Sequence, residues 1–208
     1  MSRLELVTGG ARSGKSALAE RRAAELARPG GLVAYIATAV VTDAEMAERI
    51  AGHRGRRPAG WRTLDAPTDL GGALAAAAAQ APVVLVDCLA VWSSNRLLAL
   101  GDPDADADTR RSAWRRRVAD LDAELGDELA AGLDAALAAG ADIVLVTNEV
   151  GLGVVPPTPL GRAYRDLLGR LNQRAAARAD AVHLVVAGIA VDLRQLPHAP
   201  VQPHGDAA

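Results

Sequence analysis

The chain has 208 residues, with 23 lysines and arginines against 25 aspartates and glutamates and a net charge of −2. That length supplies the core of one α/β domain, and the charge gives no whole-chain electrostatic case for nucleic acid or an anionic membrane. No Phe, three Trp and two Tyr argue against an aromatic platform for single-stranded nucleic acid, and the one cysteine, Cys88, excludes an intramolecular disulfide framework and fits a reducing compartment.

The N-terminus enters a strand within three residues and shows no basic-then-apolar signal region, so the expected location is cytoplasmic. Leu4-Glu5-Leu6-Val7-Thr8 reads as a short buried strand. Gly9-Gly10-Ala11-Arg12-Ser13-Gly14-Lys15-Ser16 follows and fits G-x-x-x-x-G-K-[ST], a loop whose backbone N–H groups converge on phosphates. Lys15 is the only lysine of the chain, set among arginines everywhere else. A compact ammonium reaches the β/γ oxygens where a forked guanidinium does not substitute. Ser16 to Ala27 reads as a helix closed by Pro29-Gly30-Gly31, and a helix N-terminus behind a glycine-rich loop favours an anion. Nucleotide binding follows from this context, which the loop pattern alone does not establish.

Leu32–Ala37 is a second apolar strand. Arg49 to Pro58 then sets Arg54, Gly55, Arg56 and Arg57 beside His53. By periodicity the segment reads first as a solvated basic loop. Its chemical reading is that arginines hold phosphates in bidentate fashion, while a neutral imidazole attacks phosphorus, its neutral form favoured by the neighbouring guanidinium charge.

The Ala-rich stretch from Gly71 to Trp92 is interrupted by Gln80, Pro82 and Asp87. It reads as helix, turn and buried strand, not a membrane span. Val83–Asp87 is an apolar strand ending in a carboxylate, the form of a Walker B element that holds Mg²⁺ beside the Ser16 hydroxyl; an Asp in that place also serves to cap the next helix. The Asp102–Asp108 run lacks the glycine of a calcium loop and has Ala113 at its twelfth position, so it reads as a solvated linker.

Trp114, Val118, Leu121, Leu125, Leu129, Leu133 and Leu137 form one stripe along a helix. Ile143–Thr147 and Ala181–Val186 are strands flanking a helix from Leu160 to Ala177. Asn148 and Glu149 follow a strand tip, where turn formation and substrate contact are equally compatible with the sequence. Arg162 and Arg165 read as surface ion pairs. His183 lies in an apolar strand and reads as a core imidazole. One domain over 1–196 and a loosely ordered tail over 197–208, with His198 and His204 idle, complete the expected organisation. Alternating strands and helices predict a mostly parallel sheet covered on both faces, with ligands at the carboxyl ends of its strands.

The motifs resemble a family, the bifunctional adenosylcobinamide kinase / adenosylcobinamide-phosphate guanylyltransferases of cobalamin biosynthesis. The resemblance is carried by Gly9–Ser16, Tyr35–Ala39, Asp43–Met46, Arg49-Ile50, His53, Arg57-Pro58, Trp61–Thr63 and Val86–Leu89 with Trp92 and Asn95. It continues through Thr147–Gly153 with Val155-Pro156, Leu160–Arg162, Arg165-Asp166, Leu171–Arg174 and Val185–Ile189.

The resemblance implies a P-loop NTPase of RecA-like fold, a homo-oligomer with a trimer favoured, and two reactions. The first phosphorylates the aminopropanol hydroxyl of adenosylcobinamide with ATP or GTP, with Mg²⁺. The second transfers GMP from GTP to that phosphate through a guanylylated histidine. His53 matches the nucleophile position; Gly9, Gly10, Ala11, Arg12, Ser13, Gly14, Lys15, Ser16, Ala37, Thr38, Ala39, Arg54, Gly55, Arg56, Arg57, Asp65 and Asp87 match the nucleotide contacts. Asp65 stands where the family usually has Glu, and Ala90 where it often has Thr. The residues taken without the resemblance leave two rivals, a P-loop kinase for another small molecule and an ATPase module coupled to a nucleic-acid or protein partner.

Overall fold

The computed structural model describes residues 2–40, 48, 52, 55, 57, 58, 60–101 and 108–197. Seven strands form one sheet: β1 Leu4–Gly9, β2 Val33–Ala37, β3 Arg62–Asp65, β4 Val83–Asp87, β5 Asp142–Val146, β6 Ala181–Val186 and β7 Ile189–Asp192. Their order is β3-β2-β4-β5-β1-β6-β7. All neighbours are parallel except β6 and β7, which are antiparallel. The described helices are α1 Lys15–Ala27, α2 Leu70–Ala78, α3 Leu89–Leu98, α4 Asp108–Ala138 and α5 Pro159–Arg178, followed by a 3₁₀ turn at Leu193–Gln195.

The central strands are apolar on consecutive residues because both of their faces are covered. Leu4, Leu6, Ala34, Ile36, Val84, Val86, Ile143 and Leu145 point into one core with α2, α3 and α4. Val7, Val33, Tyr35, Val83, Leu85, Val144 and Val146 point into the other with α1. The long stripe of α4 behaves as its spacing predicts: Trp114, Val118, Leu121, Leu125, Leu129 and Leu133 are all buried, with Leu137 packed at the margin. Each fully buried leucine there contributes ~1.5–3 kcal/mol relative to exposure. The Ala-rich stretch divides into α2, β4 and the start of α3, and no described helix is long and apolar enough to cross a membrane.

Two strands fall outside the five read from the sequence. β3 sits at the sheet edge and is mostly exposed, so it lacks the apolar run that marks the interior strands. β7 is the return arm of a hairpin whose turn, Ala187-Gly188, has φ of 51° and 80°. Positive φ at both turn residues suits the twist of the flanking strands, and a residue–glycine pair between two apolar runs was the available signal. The fifth strand also ends one residue earlier than read, at Val146. Asp108, read as linker, begins α4; the rest of that linker and residues 198–208 of the expected tail lie outside the described residues.

One buried ion pair fixes the frame beneath the glycine-rich loop. Glu5 on β1 is fully buried, and Arg22 on α1 donates to it twice, Nε at 2.8 Å and Nη2 at 2.6 Å. His183 on β6 puts Nε2 3.5 Å from the same carboxylate, so the expected core imidazole lies beside an anion, with no hydrogen bond of its own at that nitrogen. Burial on its own raises a carboxyl pKa; His183 and Arg22 more than offset it and hold Glu5 at about 2. The strand before the loop, the helix after it and the adjacent strand are thereby tied together.

Candidate active site

The loop between β1 and α1 owes its path to backbone freedom at two glycines. Gly9 has φ 155°, and a Cβ there would meet the Val185 carbonyl oxygen at 2.4 Å and Ser13 Oγ at 2.8 Å. Gly14 has φ 101° and is the N-cap of α1 with no side-chain cap, and the first turn carries no acidic residue. The N–H groups at the start of α1 therefore have no side-chain acceptor, the arrangement that attracts an anion. The Gly188 amide donates to the Ser13 carbonyl at 2.9 Å, so the β6–β7 hairpin props the loop from one side. Lys15 Nζ donates to the Gly10 carbonyl at 3.1 Å.

Sheet register brings the other expected residues to the same edge. Ala37 pairs with both Asp65 and Asp87, placing Asp65, Ala37 and Asp87 side by side at the carboxyl ends of β3, β2 and β4. Val146 of β5 pairs with Asp87 on one side and Val7 on the other. The acidic tip and the glycine-rich loop are thus separated by a single strand. Past that strand's end, the Glu149 amide donates to the Gly9 carbonyl at 3.1 Å.

Thr38 is fully buried, and its hydroxyl is engaged twice: it accepts from the Cys88 amide at 2.8 Å and donates to the Cys88 carbonyl at 2.9 Å. It thereby clamps the backbone just past Asp87. Asn95 supports the same corner, donating from Nδ2 to the carbonyls of Thr38 and Pro67 at 2.9 Å each. Burial, with the Asp87 charge nearby, pushes the Cys88 thiol up to about 12, so it stays protonated and is a poor nucleophile.

Asp87 itself accepts a hydrogen bond at Oδ2 from the Tyr35 hydroxyl, at 2.9 Å. Tyr35 is held protonated by burial and by the Asp87 charge, against a smaller opposing effect of Arg57. The Arg57 guanidinium lies over the Tyr35 ring, 3.2 Å from its centroid, and its Nη1 donates weakly to Thr63 Oγ1 at 3.4 Å. Tyr35 is a site residue that the sequence shows only as part of a motif; nothing in one dimension links it to an aspartate 52 positions away.

Asn172 on α5 accepts from the Thr147 hydroxyl at 2.7 Å and donates to the Asn148 carbonyl at 2.9 Å. Arg162 donates to the carbonyls of Pro156 and Pro157 at 3.0 and 2.7 Å, while Arg165 pairs with Asp166 at 2.9 Å. Arg165 is the surface pair expected, and Arg162 instead braces the segment that follows Glu149. Gly10, Ala11, Arg12 and Asp65 are exposed, and Lys15, Ser16 and Ala39 half-buried. His53, Arg54 and Arg56 lie outside the described residues, while Gly55 is exposed and Arg57 half-buried.

Buried polar atoms without a partner are uncommon in folded proteins. Thr8 Oγ1, Ser13 Oγ, Arg57 Nε and Asn148 Oδ1 are such atoms, and all four belong to residues at or beside these strand tips. The donor set also fits Mg²⁺. Ser16 and Asp87 offer hard oxygens, the donor type that this cation takes. Magnesium habitually takes one or two protein oxygens and completes its shell with phosphates and water.

A strand, a glycine-rich loop, a helix N-terminus and an acidic strand tip on a mostly parallel sheet define the P-loop NTPase class. Within that class the chain belongs to the cobinamide kinase / cobinamide phosphate guanyltransferase family, whose model matches residues 5–193. It is 43% identical over 193 residues to the bifunctional adenosylcobalamin biosynthesis protein CobP of Pseudomonas aeruginosa, covering 93% of this chain and 98% of the relative. It is 42% identical to the protein CobU of Salmonella typhimurium and 41% to that of Escherichia coli, in each case over 91% of this chain and 98% of the relative.

Among solved structures it is similar to the flagellar accessory protein FlaH of Methanocaldococcus jannaschii (TM-score 0.46, 14% identity, 92% of this chain and 77% of that one). It is also similar to a solved ATPase domain (TM-score 0.47, 12% identity, 88% and 68%). Both are loose likenesses and do not bear on function.

Proposed function

We propose that the protein carries out two successive reactions at this sheet edge. It phosphorylates the aminopropanol hydroxyl of adenosylcobinamide with ATP or GTP, then transfers GMP from GTP to the resulting phosphate through a guanylylated His53, giving adenosylcobinamide-GDP. The observation that carries the reading is the phosphate loop one strand away from the Asp87 tip, with buried polar atoms that lack a hydrogen-bond partner at Thr8, Ser13 and Asn148, in a chain of this family.

In the kinase step the loop amides and Lys15 hold the triphosphate while the substrate hydroxyl attacks the γ-phosphorus and the nucleoside diphosphate leaves. Ser16 and Asp87 are the residues that would hold Mg²⁺, which when bound neutralises charge on the phosphate oxygens. In the transfer step the His53 imidazole attacks the α-phosphorus of GTP and pyrophosphate leaves; the substrate phosphate then attacks the phosphoramidate and frees the imidazole. Two steps keep two polyanions from having to react directly. Ala37, Thr38, Ala39, Asp65 and the Arg54–Arg57 segment are assigned to nucleotide binding on the family match. Cys88 occupies the Thr38 hydroxyl, the Asp87 carbonyl accepts from its N–H and Asn95 donates to its carbonyl, so Thr38 contributes by shaping the backbone beside Asp87.

The same reading makes the protein a cytoplasmic homo-oligomer, a trimer, without a nucleic-acid partner or membrane insertion. The near-neutral charge supports the absence of a nucleic-acid partner. The test is NTP turnover with and without cobinamide. Corrinoid-dependent phosphoryl transfer is expected; turnover indifferent to corrinoid and stimulated by nucleic acid would contradict the assignment.

A further inference from the structure

Tyr35 joins two parts of the site that come from distant stretches of sequence. It is buried on β2, one strand from β4 and next to the β3 edge. Its hydroxyl donates to one oxygen of Asp87 at 2.9 Å, and the face of its ring carries the Arg57 guanidinium at 3.2 Å. Phenylalanine is absent from the chain and tyrosine occurs twice, so an aromatic ring with a hydroxyl at this point is not a product of a phenol-rich core. The second tyrosine, Tyr164, donates its hydroxyl to the Ala90 carbonyl at 3.2 Å.

A carboxylate at a strand tip rotates about its terminal torsion unless something fixes it. The Tyr35 hydroxyl fixes the Asp87 carboxylate through Oδ2 and leaves Oδ1 to face elsewhere. Arg57 has its Nε buried without a partner; among the described residues its guanidinium makes a weak bond to Thr63 and lies over the Tyr35 ring, so the ring helps to seat it. A guanidinium over an aromatic face is attracted by the ring quadrupole, so the ring holds the cation electrostatically as well as by contact.

We infer that Tyr35 is a positioning residue for both half-reactions: its hydroxyl orients Asp87 toward the cation, and its ring seats Arg57 against the nucleotide. The inference rests on the proposed roles of Asp87 and Arg57. It makes the two contacts separable, because one substitution removes the hydroxyl and keeps the ring.

The experiment compares the full-length parent with Tyr35→Phe and Tyr35→Met. The first readout is the dissociation constant of β,γ-imido ATP measured with Mg²⁺ and again with EDTA. The second is the GTP concentration that half-saturates formation of the covalent GMP adduct, followed by mass spectrometry at saturating Mg²⁺. In Tyr35→Phe the tightening produced by Mg²⁺ should fall about tenfold, the loss expected for a hydrogen bond to a charged group, with the GTP concentration for adduct formation within about twofold of the parent. Tyr35→Met should show the same loss and also need roughly fivefold more GTP, from the lost ring contact.

An unchanged Mg²⁺ effect in Tyr35→Phe overturns the hydroxyl's role, and equal changes in both readouts mark a general structural defect, which also overturns the inference. Equal GTP requirements in Tyr35→Phe and Tyr35→Met overturn the ring's role. Melting curves accompany all three proteins, and Tyr35→Leu replaces Tyr35→Met if the latter does not fold. A parent whose nucleotide affinity ignores Mg²⁺, or that forms no adduct, contradicts the underlying functional reading instead, and the inference falls with it.

Discussion

Lys15 Nζ and the Gly10 carbonyl are 3.1 Å apart, so the chain's one lysine closes a hydrogen-bonded ring across its own phosphate loop. The loop is short enough that a single ammonium spans it. An arginine in that place brings a planar, wider head group that the same span does not accommodate as a point charge.

Lys15→Arg should therefore slow both half-reactions, since each needs triphosphate in this loop. The expected loss is ~10²–10³ in rate, typical for a displaced oxyanion contact. Steady-state phosphorylation and guanylyl transfer assays check it; rates within a few-fold of the parent would remove the argument from the lone lysine.

Asp87→Asn should weaken Mg²⁺-dependent turnover much more than it weakens folding. The substitution keeps the shape that Tyr35 and Thr38 pack around and removes the charge a cation requires. Activity titrated against Mg²⁺, alongside a thermal melt, separates the two effects. Superimposable Mg²⁺ curves would assign Asp87 a structural role.

Asn172 and Asn148 should respond differently to truncation. Asn172 holds Thr147 and the Asn148 backbone through two bonds, so Asn172→Ala should cost ~1–3 kcal/mol by leaving a buried hydroxyl unpaired. Asn148 Oδ1 has no partner to lose. Asn148→Ala should leave the melting temperature within a degree or two while lowering kinase kcat. A stability loss in Asn148→Ala as large as in Asn172→Ala, with normal turnover, would make Asn148 a turn residue only.

Glu5 gives a pH signature. Its folded-state pKa is depressed from 4.5 to about 2, so the carboxylate is favoured by folding. The resulting stabilisation is complete above the unfolded value and is lost as pH falls from about 4.5 through 2. At neutral pH the difference amounts to about 3 kcal/mol. Glu5→Gln should accordingly be destabilised at pH 7, with the gap to the parent less than half as large at pH 3. Denaturant melts at the two pH values decide it; a gap that does not shrink on acidification would mean the pair contributes through packing alone.

The legible part of this molecule in its sequence was what repeats locally. Buried strands such as Val83–Asp87 announce themselves as apolar runs, α4 as a stripe at helical spacing, and the phosphate loop as glycines around a lysine. β3 escaped because an edge strand exposed along Arg62, Thr63 and Asp65 has no hydrophobic period to read. β7 escaped because its signal is a two-residue turn, Ala187-Gly188, more than the strand itself. At the site, the residues of the loop and the Asp87 tip were readable, but their company was not. That Ala37 stands between Asp65 and Asp87 is a matter of register across three strands, and that Tyr35 serves Asp87 depends on β2 and β4 being neighbours. The Thr38 hydroxyl illustrates the converse: its motif suggests a ligand contact, and its position past β2 spends it on Cys88.

One chain is expected to form a covalent guanylyl-enzyme, with the GMP on His53. The most direct measurement is mass spectrometry of the purified protein after incubation with GTP and Mg²⁺, with peptide mapping of the modified residue and the same incubation of His53→Ala. A single GMP adduct on His53 is expected, stable to alkali and lost in acid because protonating the phosphoramidate nitrogen makes imidazole a good leaving group. His53→Ala should lose the adduct and guanylyl transfer yet keep kinase activity, whose acceptor needs no enzyme nucleophile. An adduct that persists in His53→Ala, or that maps to another residue of the parent, would contradict the assignment of His53 as the nucleophile.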